Sequence, residues 1–409
     1  MQVGFYVGLD WGCERHALCV TDGSGKVVKR CFVQNDATAL QVLADVLGDT
    51  PATQVHVGVE TRRLAVVEAL LARGFRVFTI NPKQSNRFRE RYTAAGAKDD
   101  HRDAWVLATT VRTDLSCFHA VVAESDAQVH LRAVTRSREV VAGSFRRASN
   151  RLREVILLAM PVLLGLCEGA DEPWFWDLGV NALRSDLSNV LDDEAIAKVL
   201  KDNRIRKLKV ADIREVLDRP HLQAANGLRK TAAWQAELLI AELRLLHAQE
   251  KLIAAEIGKA LADLPKADDG LSDADIVMSM PGFGERVAAL FLVEAHDALA
   301  ERNLKQLRAL AGVAPVTEAS GKRQQSKDPR VVMRRAVSSR LRNAMFMAAF
   351  NSRNDPRFGS LYASAKARGL THGCALRTVG NRQLTVLVAM LRHRTTYATP
   401  TNLEPSSAS

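Results

Sequence analysis

The stretch Phe5-Tyr6-Val7-Gly8-Leu9-Asp10-Trp11-Gly12 is an apolar run of strand length that ends in one carboxylate. Gly8 and Gly12, on either side of Asp10, allow another backbone to approach closely. The ordinary interpretation is a strand that ends at a solvated aspartate before a turn. The alternative is an acid held at a sheet edge for chemistry, and the rest of the chain supplies partners for it.

The segments that follow predict a three-strand meander and then alternating strands and helices. Asp22-Gly23-Ser24-Gly25 forms the tight turn of the meander. The predicted strands are 5–9, 16–21, 27–33, 55–59 and 76–80, and the predicted helices are 37–47, 62–72 and one that opens at Asn81-Pro82. This order predicts a mixed α/β sheet with helices on its faces.

Three further acids have positions comparable to that of Asp10. Glu60 follows the strand 55–59, and Asp100 and Asp103 lie three residues apart at the start of a helix that begins near Lys98 and continues to about Thr113. Residues three apart share one helix face, and strand ends meet at one edge of a sheet. The alternative for the helical pair is simple complementation of the helix dipole.

Composition indicates a polyanionic partner. The 409 residues carry a net charge of +11 and a pI near 9.5, which favours nucleic acid over an acidic membrane surface. Six scattered cysteines without metal-like spacing indicate reduced thiols. The N-terminus lacks signal-peptide regions and no apolar run reaches membrane-spanning length, so we expect a cytoplasmic, nucleoid-associated protein with no membrane partner.

A helix predicted over 127–160 has an apolar stripe, and arginines occupy much of its remaining surface. Arginine grips phosphates well, although a run of charges is usually a solvated face. A second long helix, predicted over 231–264, has mostly three- and four-residue apolar spacings, as in a coiled-coil seam, and is expected to pair with the first helix or with a second subunit. The candidate nucleic-acid-binding residues of the first helix are Arg132, Arg136, Arg146, Arg147 and Arg151.

The last part of the chain contains the strongest nucleic-acid signal. Met280-Pro281-Gly282-Phe283-Gly284 resembles the turn of helix-hairpin-helix modules, in which backbone N–H groups hold a DNA phosphate, and an ordinary helix–helix turn is the alternative. Between Gly321 and Arg353 there are nine Lys and Arg but one Asp. They lie on a loop and on a predicted basic helix that contains Arg330, Arg334, Arg335, Arg340 and Arg342. The candidate binding residues here are Gly282, Gly284, Lys322, Arg323, Lys327, Arg334 and Arg335. Residues 399–409 have the composition of a disordered tail.

Four carboxylates gathered in a basic protein require a cation. Mg²⁺ prefers hard oxygen ligands and keeps waters for substrate phosphates. Two such ions activate a nucleophile and stabilise the leaving oxygen in phosphodiester cleavage. The sequence therefore predicts Mg²⁺ held by Asp10, Glu60, Asp100 and Asp103.

Five motifs occur in the order seen in the DEDD transposases of insertion sequences, and the sequence resembles the insertion sequence 110 type of that family. The motifs are Gly8-Leu9-Asp10-Trp11, Val59-Glu60-Thr61, Lys98-Asp99-Asp100-His101-Arg102-Asp103-Ala104, Met280-Pro281-Gly282-Phe283-Gly284 and Ala319-Ser320-Gly321. The resemblance covers most of the chain apart from roughly 168–230. The family's Lys-Thr-Asp-Arg-x-Asp-Ala pattern identifies Asp100 and Asp103, rather than Asp99, as the second pair of acids.

The resemblance implies an RNase H-like N-terminal domain, similar to Holliday-junction resolvases, over 1–125. It implies an arginine-rich helix and coiled-coil region over 126–268, with an insert near 168–230. Within this insert the sequence pattern predicts short helices around 182–191 and 210–217. A mainly α-helical C-terminal transposase domain with the helix-hairpin-helix-like turn and a serine loop follows over 269–395. Residues 396–409 are the expected disordered tail.

The resemblance also implies the chemistry. Asp10, Glu60, Asp100 and Asp103 bind Mg²⁺, and Ser320 attacks a DNA phosphate to form a transient phosphoserine link. The family loop has Ser-Ser-Gly, whereas Ala319 replaces the first serine here, and Ser326-Lys327-Asp328-Pro329 replaces Ser-Lys-Arg-Gly. The further implied partners are element-end and target DNA, a structured guide RNA, and other copies of the chain in a dimer or tetramer.

Two other functions remain open at this stage. One is a structure-specific endonuclease of the Holliday-junction type, which uses the four acids with water as the nucleophile. The other is a non-catalytic nucleic-acid-binding protein whose acids are structural.

Overall fold

The computed structural model describes residues 3–62, 65–92, 99–184, 192–220, 224–318 and 330–398. The chain forms two compact units. The N-terminal unit comprises Met1–Ser125 together with His296–Glu301. The helical unit comprises Asp126–Ala295 and Arg302–Ser409.

The N-terminal unit is built on a five-stranded mixed sheet in the order β3-β2-β1-β4-β5. Strands β1, β2 and β3 form an antiparallel meander, whereas β1, β4 and β5 are parallel. The elements are β1 (Phe5–Asp10), β2 (Arg15–Asp22), β3 (Val27–Gln34), α1 (Thr38–Leu47), β4 (Val55–Val59), α2 (Ala65–Ala72), β5 (Arg76–Thr79), α3 (Pro82–Glu90), α4 (Asp100–Thr113) and the short α12 (His296–Ala300). The predicted mixed sheet with helices on its faces is confirmed.

Successive residues of each strand point to opposite faces of the sheet. On one face, Val7 and Leu9 of β1 join Val57 and Val59 of β4 in a core closed by α1 and α2. Gly8 of β1 belongs to the other face, which is covered by α4.

Helix α4 lies in backbone contact with the sheet because paired glycines leave room for it. Gly8 and Gly58 are partners across the β1–β4 ladder. A Cβ atom on Gly8 would lie 1.8 Å from the carbonyl oxygen of Ala104, and one on Gly58 would lie 2.9 Å from that of Leu107. The close backbone approach predicted beside Asp10 is therefore used by α4.

The helical unit is organised around two long antiparallel helices, α5 (Asp126–Ala159) and α9 (Asn226–Ala262). Leu131 near the start of α5 packs with Ile257 near the end of α9, and His130 Nε2 lies 2.9 Å from Glu256 Oε1. The predicted pairing of the two long helices is confirmed within one chain. This pairing does not establish a coiled coil.

The segment between the long helices forms α6 (Pro173–Arg184), α7 (Asp193–Asp202) and α8 (Val210–Leu217). Trp174, Phe175 and Trp176 of α6 are buried in the same core as the facing sides of α5 and α9. The helix predicted over 210–217 is confirmed. The helix predicted over 182–191 is wrong at its start, because α6 begins at Pro173 and packs its aromatic residues inward, and residues 185–191 lie outside the described ranges.

The C-terminal part of the helical unit consists of helices and one short antiparallel hairpin. Its elements are α10 (Asp273–Ser279), α11 (Glu285–Glu294), α13 (Leu304–Leu310), β6 (Pro315–Glu318), β7 (Arg330–Met333), α14 (Ser339–Asn351), α15 (Pro356–Ala367) and α16 (His372–His393). The prediction of a basic helix that includes Arg330, Arg334 and Arg335 is wrong: Arg330 pairs with Glu318 in the β6–β7 ladder, and the helix begins only at Ser339, where the Ser338 side chain caps it. Within the described ranges, no helix is both long and apolar enough to cross a membrane.

Candidate active site

Asp10 and Glu60 lie at the C-terminal ends of neighbouring parallel strands. Leu9 of β1 pairs with Val59 of β4. The residues that follow them, Asp10 and Glu60, therefore lie at the same level at the edge of the sheet. Each is two residues beyond Gly8 or Gly58, and strand alternation therefore directs both toward the face that carries α4. Both acids are half-buried.

Asp100 and Asp103 occupy the first turn of α4, as the sequence predicted. This turn lies on the β1–β2 side of the sheet, because Ala104 packs with Ala17 and Cys19 of β2 and reaches Gly8. Asp100 is exposed, whereas Asp103 is buried.

Asp103 has a cationic partner that sequence reasoning missed. Arg89 of α3 places Nη1 2.9 Å from Oδ1 and 3.1 Å from Oδ2 of Asp103. The Asp103 side chain is only 9% exposed, so its charge requires such a partner. The only sequence signal was a basic last turn in the helix opened by Asn81-Pro82, which also suits a helix dipole.

The turn that follows Asp10 is held by a buried histidine. The backbone N–H of Gly12 donates to His16 Nδ1 at 3.3 Å, so the proton of the neutral ring lies on Nε2, 3.1 Å from Asn35 Oδ1. Burial lowers the pKa of His16 below its ordinary value. A neutral His16 therefore keeps the Trp11-Gly12 turn against β2.

Arg62 holds the loop that carries Glu60 through contacts within the N-terminal unit. Arg62 Nη1 lies 2.8 Å from Asp297 of α12, and Nη2 lies 2.9 Å from Glu124 Oε1. Arg62 also donates to the Val122 carbonyl oxygen at 2.8 Å. The Glu124 side chain is only 3% exposed, so Arg62 supplies a buried countercharge two residues from Glu60.

The four predicted acids are not gathered into a preformed metal cage. Among the described residues, no group of three or more His, Cys, Asp or Glu side chains is arranged to hold a metal ion. The chemistry of the donors nevertheless fits a hard cation: carboxylates lie at two adjoining strand ends, and a third, Asp103, is buried and ion-paired with Arg89.

The predicted nucleophile Ser320 lies outside the described residues, as do Lys322, Arg323 and Lys327. The structure describes the two strands that flank this loop: β6 ends at Glu318, two residues before Ser320, and β7 begins at Arg330. Arg334 and Arg335, just after β7, are exposed.

The arginines of α5 divide into two groups. Arg146, Arg147 and Arg151 are exposed, whereas Arg136 is ion-paired with Glu294 and Glu139 inside the helical unit. Arg132 is half-buried. The exposed group leaves a basic surface near the middle of α5.

The two glycines of the Pro-Gly-Phe-Gly turn have different surroundings. Gly282 has φ +91°, and a Cβ atom there would lie 2.1 Å from the Ala348 carbonyl oxygen of α14, so this glycine serves close packing. Gly284 is the N-cap residue of α11, and a Cβ atom there would meet no atom within 4 Å. Gln383, fully buried, donates to the Pro281 carbonyl oxygen at 3.1 Å and holds the turn against α16.

Two family models match the chain in succession. A model of the IS110-type DEDD domain, described as a transposase, matches residues 7–161. A model described as the transposase IS116/IS110/IS902 family matches residues 274–363. Together the matched ranges cover more than half of the chain. The chain belongs to the IS110-type family of DEDD transposases.

Individual relatives agree with this assignment. The chain is 36% identical to the putative transposase y4uE of Sinorhizobium fredii over 206 residues, which cover 49% of this chain and 57% of that protein. It is 27% identical to the mini-circle putative transposase for IS117 of Streptomyces coelicolor, over 95% of this chain and 94% of that protein. It is also 26% identical to the insertion element IS110 uncharacterized 43.6 kDa protein of the same organism, over 97% and 96% of the two chains.

Family membership confirms the coarse predictions. It implies DNA transposition, and hence an enzyme that binds, cleaves and transfers DNA strands. It also implies an RNase H-like fold for the N-terminal part, consistent with the mixed sheet, and the use of a divalent metal ion in general.

Proposed function

We propose that this chain cleaves and rejoins DNA strands to move its own insertion sequence, with Mg²⁺ held by four acids and Ser320 as the nucleophile. One observation carries the proposal: Asp10 and Glu60 leave adjoining parallel strands in register, on the face whose helix begins with Asp100 and Asp103. The four acids lie in the first matched region. Ser320 lies in the second, between β6 and β7, and we call these two strands and their connection the serine hairpin.

Asp10, Glu60, Asp100 and Asp103 are the residues that would hold the metal. When bound, Mg²⁺ supplies charge stabilisation for an attacking and a leaving oxygen at phosphorus. Arg89 neutralises Asp103 in the protein alone, and it must give up this carboxylate before Asp103 is a metal ligand. We therefore expect Mg²⁺ and Arg89 to compete for the carboxylate of Asp103.

A thermal-shift titration tests this competition without measuring activity. Arg89→Gln is expected to melt at a lower temperature than wild type in EDTA and to gain a larger increase in melting temperature from Mg²⁺. Arg87→Gln, on the same helix, is the matched control. A Mg²⁺-induced shift of equal size in all three proteins would exclude Asp103 as a ligand for which Arg89 competes.

In the proposed serine step, the Ser320 oxygen replaces the leaving nucleotide oxygen at phosphorus. The Ser320 hydroxyl oxygen forms a bond to the phosphorus, and the bond from phosphorus to the leaving nucleotide oxygen breaks. The serine proton passes through solvent to the leaving oxygen, and the phosphoserine link then awaits attack by another strand end. A hydroxyl requires activation by a base or a metal ion for this attack.

The decisive experiment is a denaturing-gel assay for a protein–DNA adduct with Mg²⁺, element-end DNA and the flanking transcript. Wild type and the control Ser326→Ala, a serine of the same loop, are expected to form the adduct, whereas Ser320→Ala is not. Asp10→Asn is expected to bind DNA but leave it uncut. Cleavage by Ser320→Ala without an adduct from any variant would favour the Holliday-junction-type endonuclease with water as nucleophile. DNA binding without cleavage in wild type would favour the non-catalytic hypothesis.

We further propose that a structured RNA from the element guides the reaction. The exposed Arg146, Arg147 and Arg151 of α5 suit a nucleic-acid backbone rather than particular bases. Omission of the flanking transcript is expected to abolish strand transfer between element-end and target DNA. Equal strand transfer without any RNA would refute this part of the proposal.

The homo-oligomer that we propose is supported by an exposed seam on α9. This seam is a row of exposed residues from Trp234 to Ala255 that recur at alternating spacings of four and three. That spacing is the repeat of a coiled coil, and the row extends over about 30 Å of helix. Trp234, Leu238, Leu245 and Leu252 are 59%, 56%, 60% and 73% exposed. The α9 seam consists of Trp234, Leu238, Ala241, Leu245, Ala248, Leu252 and Ala255, all exposed.

A second copy of α9, placed antiparallel, fits this seam. Leucine and alanine alternate along it, so an antiparallel partner sets Leu238 against Ala248 of the partner subunit. The same arrangement brings Glu237, which flanks the seam, near Lys251 of the partner subunit, where opposite charges favour the pairing. The buried side of α9 is already packed against α5 and leaves the seam available.

Sedimentation analysis tests the seam. Leu245→Glu places a charge at its centre and is expected to raise the dimer dissociation constant by at least about tenfold. Leu158→Glu, at a leucine on α5 that is 69% exposed against 60% for Leu245, is the matched control. A dimer that survives Leu245→Glu as well as it survives Leu158→Glu would exclude the seam as the subunit contact.

A further inference from the structure

Four rings form an exposed cluster where α14, α15 and the start of α16 meet in the helical unit. His372 lies at its centre, with ring centroids 6.2 Å from Phe346, 6.3 Å from Phe350 and 5.8 Å from Tyr362. All three contacts are edge-to-face, and Tyr362 Oη lies 2.8 Å from His372 Nδ1. This aromatic platform therefore has a defined geometry.

The two phenylalanines of the platform are exposed although they are large and apolar, and Tyr362 is half-buried. Phe346 is 41% and Phe350 is 37% exposed, and His372 is also exposed. Among the described residues, Arg353 stacks on the Phe350 ring, and both phenylalanine rings keep more than a third of their surface accessible. A contiguous exposed aromatic surface of this kind indicates a binding site rather than core packing.

The surroundings of the platform are basic. The guanidinium carbon of Arg353 lies 3.8 Å from the ring centroid of Phe350 and 5.9 Å from that of Tyr362. Between Ser338 and Arg377 the chain has seven Lys and Arg but one acid, Asp355, whose carboxylate is engaged as the N-cap of α15. The charge therefore complements a polyanion.

We propose that the aromatic platform stacks the unpaired bases of a nucleic-acid strand. Exposed rings flanked by basic side chains are the features of proteins that bind single strands, since every base offers a π-face to an aromatic ring and a phosphate to a cation. Phe346 and Phe350 are one helical turn apart on α14, about 6 Å along the axis, and so offer successive bases separate contacts. Paired bases within a duplex cannot reach the rings in this way.

The platform adjoins the hairpin that carries the proposed nucleophile. Phe346 lines a cavity of about 180 Å³ whose wall also includes Met333 of β7 and Arg377 of α16. An unpaired strand on the platform would therefore lie close to the start of the serine hairpin. The biological role of the platform rests on the proposed function, but its binding of single strands does not.

Fluorescence anisotropy with labelled 15-mers of oligo-dT and oligo-rU, in EDTA, tests the inference. Phe346→Leu and Phe350→Leu keep apolar area but remove a π-face, and each is expected to weaken binding by about 5-fold or more. Phe346→Trp is expected to bind at least as tightly as wild type. Met347→Ala, which removes an exposed apolar side chain next to Phe346, is the matched control and is expected to change affinity less than 2-fold.

Circular dichroism melting confirms that each variant is folded before it is compared. Loss with oligo-dT alone identifies melted DNA as the strand, and loss with oligo-rU alone identifies RNA; either result, or both, supports the platform. Unchanged affinity in both leucine variants overturns it, and so does an equal loss on a 15-base-pair duplex, because that contact would not require unpaired bases. The measurement needs neither Mg²⁺ nor Ser320, so it fails or succeeds independently of the adduct assay.

Discussion

The contact between β1 and α4 yields the sharpest quantitative prediction, because it determines where the two pairs of acids stand. In the variant Gly8→Ala, the new Cβ atom would lie 1.8 Å from the Ala104 carbonyl oxygen and 2.6 Å from the Ala108 nitrogen. Both are backbone atoms of a helix and cannot rotate away. Helix α4 must therefore move from the sheet by more than about 1 Å.

The cost follows from this overlap. Overpacking a core costs about 1–3 kcal/mol, and a clash between two backbones belongs at the upper end of that range. The lower entropy of alanine in the unfolded chain returns about 0.4–1 kcal/mol. We therefore expect a net loss of about 2 kcal/mol in the free energy of unfolding, or about 4–8 °C in melting temperature for a unit of this size.

Urea unfolding followed by tryptophan fluorescence measures this loss, since Trp11 and Trp105 both belong to the N-terminal unit. Gly23→Ala is the matched control, because its Cβ atom would meet only the Val3 carbonyl oxygen at 3.5 Å, an ordinary contact. An unfolding free energy for Gly8→Ala within about 0.5 kcal/mol of the control would refute the argument.

Two further predictions concern the loops that carry Asp10 and Glu60. Arg62→Ala removes the guanidinium that lies 2.9 Å from the buried Glu124 carboxylate and is expected to cost about 2–4 kcal/mol of unfolding free energy, whereas the exposed Arg73→Ala is expected to cost less than about 0.5 kcal/mol. Equal urea midpoints for the two would contradict the role given to Arg62. Because burial keeps the pKa of His16 below its unfolded value of about 6.5, the unfolded state takes up the proton first, so this contribution to stability is complete above about pH 6.5 and declines below it. Urea unfolding at pH 8 and pH 5 is expected to show a smaller pH-dependent loss in His16→Asn than in wild type, and an identical loss would mean that the Gly12 N–H bond does not require a neutral ring.

The identity of the strands and the candidate acids was accessible from local pattern. The run Phe5–Asp10 predicts a strand because apolar residues end at a carboxylate and a glycine-flanked turn, and β1 ends at Asp10 as expected. The helix with Asp100 and Asp103 in its first turn is likewise a matter of spacing along one segment. Such features depend on interactions between residues that are near in sequence.

Interactions between distant residues were not accessible. Arg89 and Asp103 are 14 residues apart, and Arg62 and Asp297 are 235 apart, and nothing in either neighbourhood indicates the pairing. The strand Arg330–Met333 was mistaken for the start of a helix because Arg330 and the two arginines after the strand resemble the basic residues of α14, whereas pairing with β6 decides the strand's conformation. The backbone hydrogen bonds that stabilise a strand are made to another segment of the chain, so they cannot be read from the strand's own residues.

The sequence by itself predicted a basic nucleic-acid-binding protein and, through the resemblance of five motifs, a DEDD transposase, because these motifs and the surplus of arginine lie in short stretches of residues. Tertiary structure alone decided that Arg89 neutralises Asp103, which face of α9 is exposed, and that Phe346, Phe350, Tyr362 and His372 meet on one surface. The physical reason is that burial, ion pairing and ring contacts depend on distances between side chains in the folded chain. Folding brings together residues that are far apart in sequence, and the sequence does not indicate which of them meet.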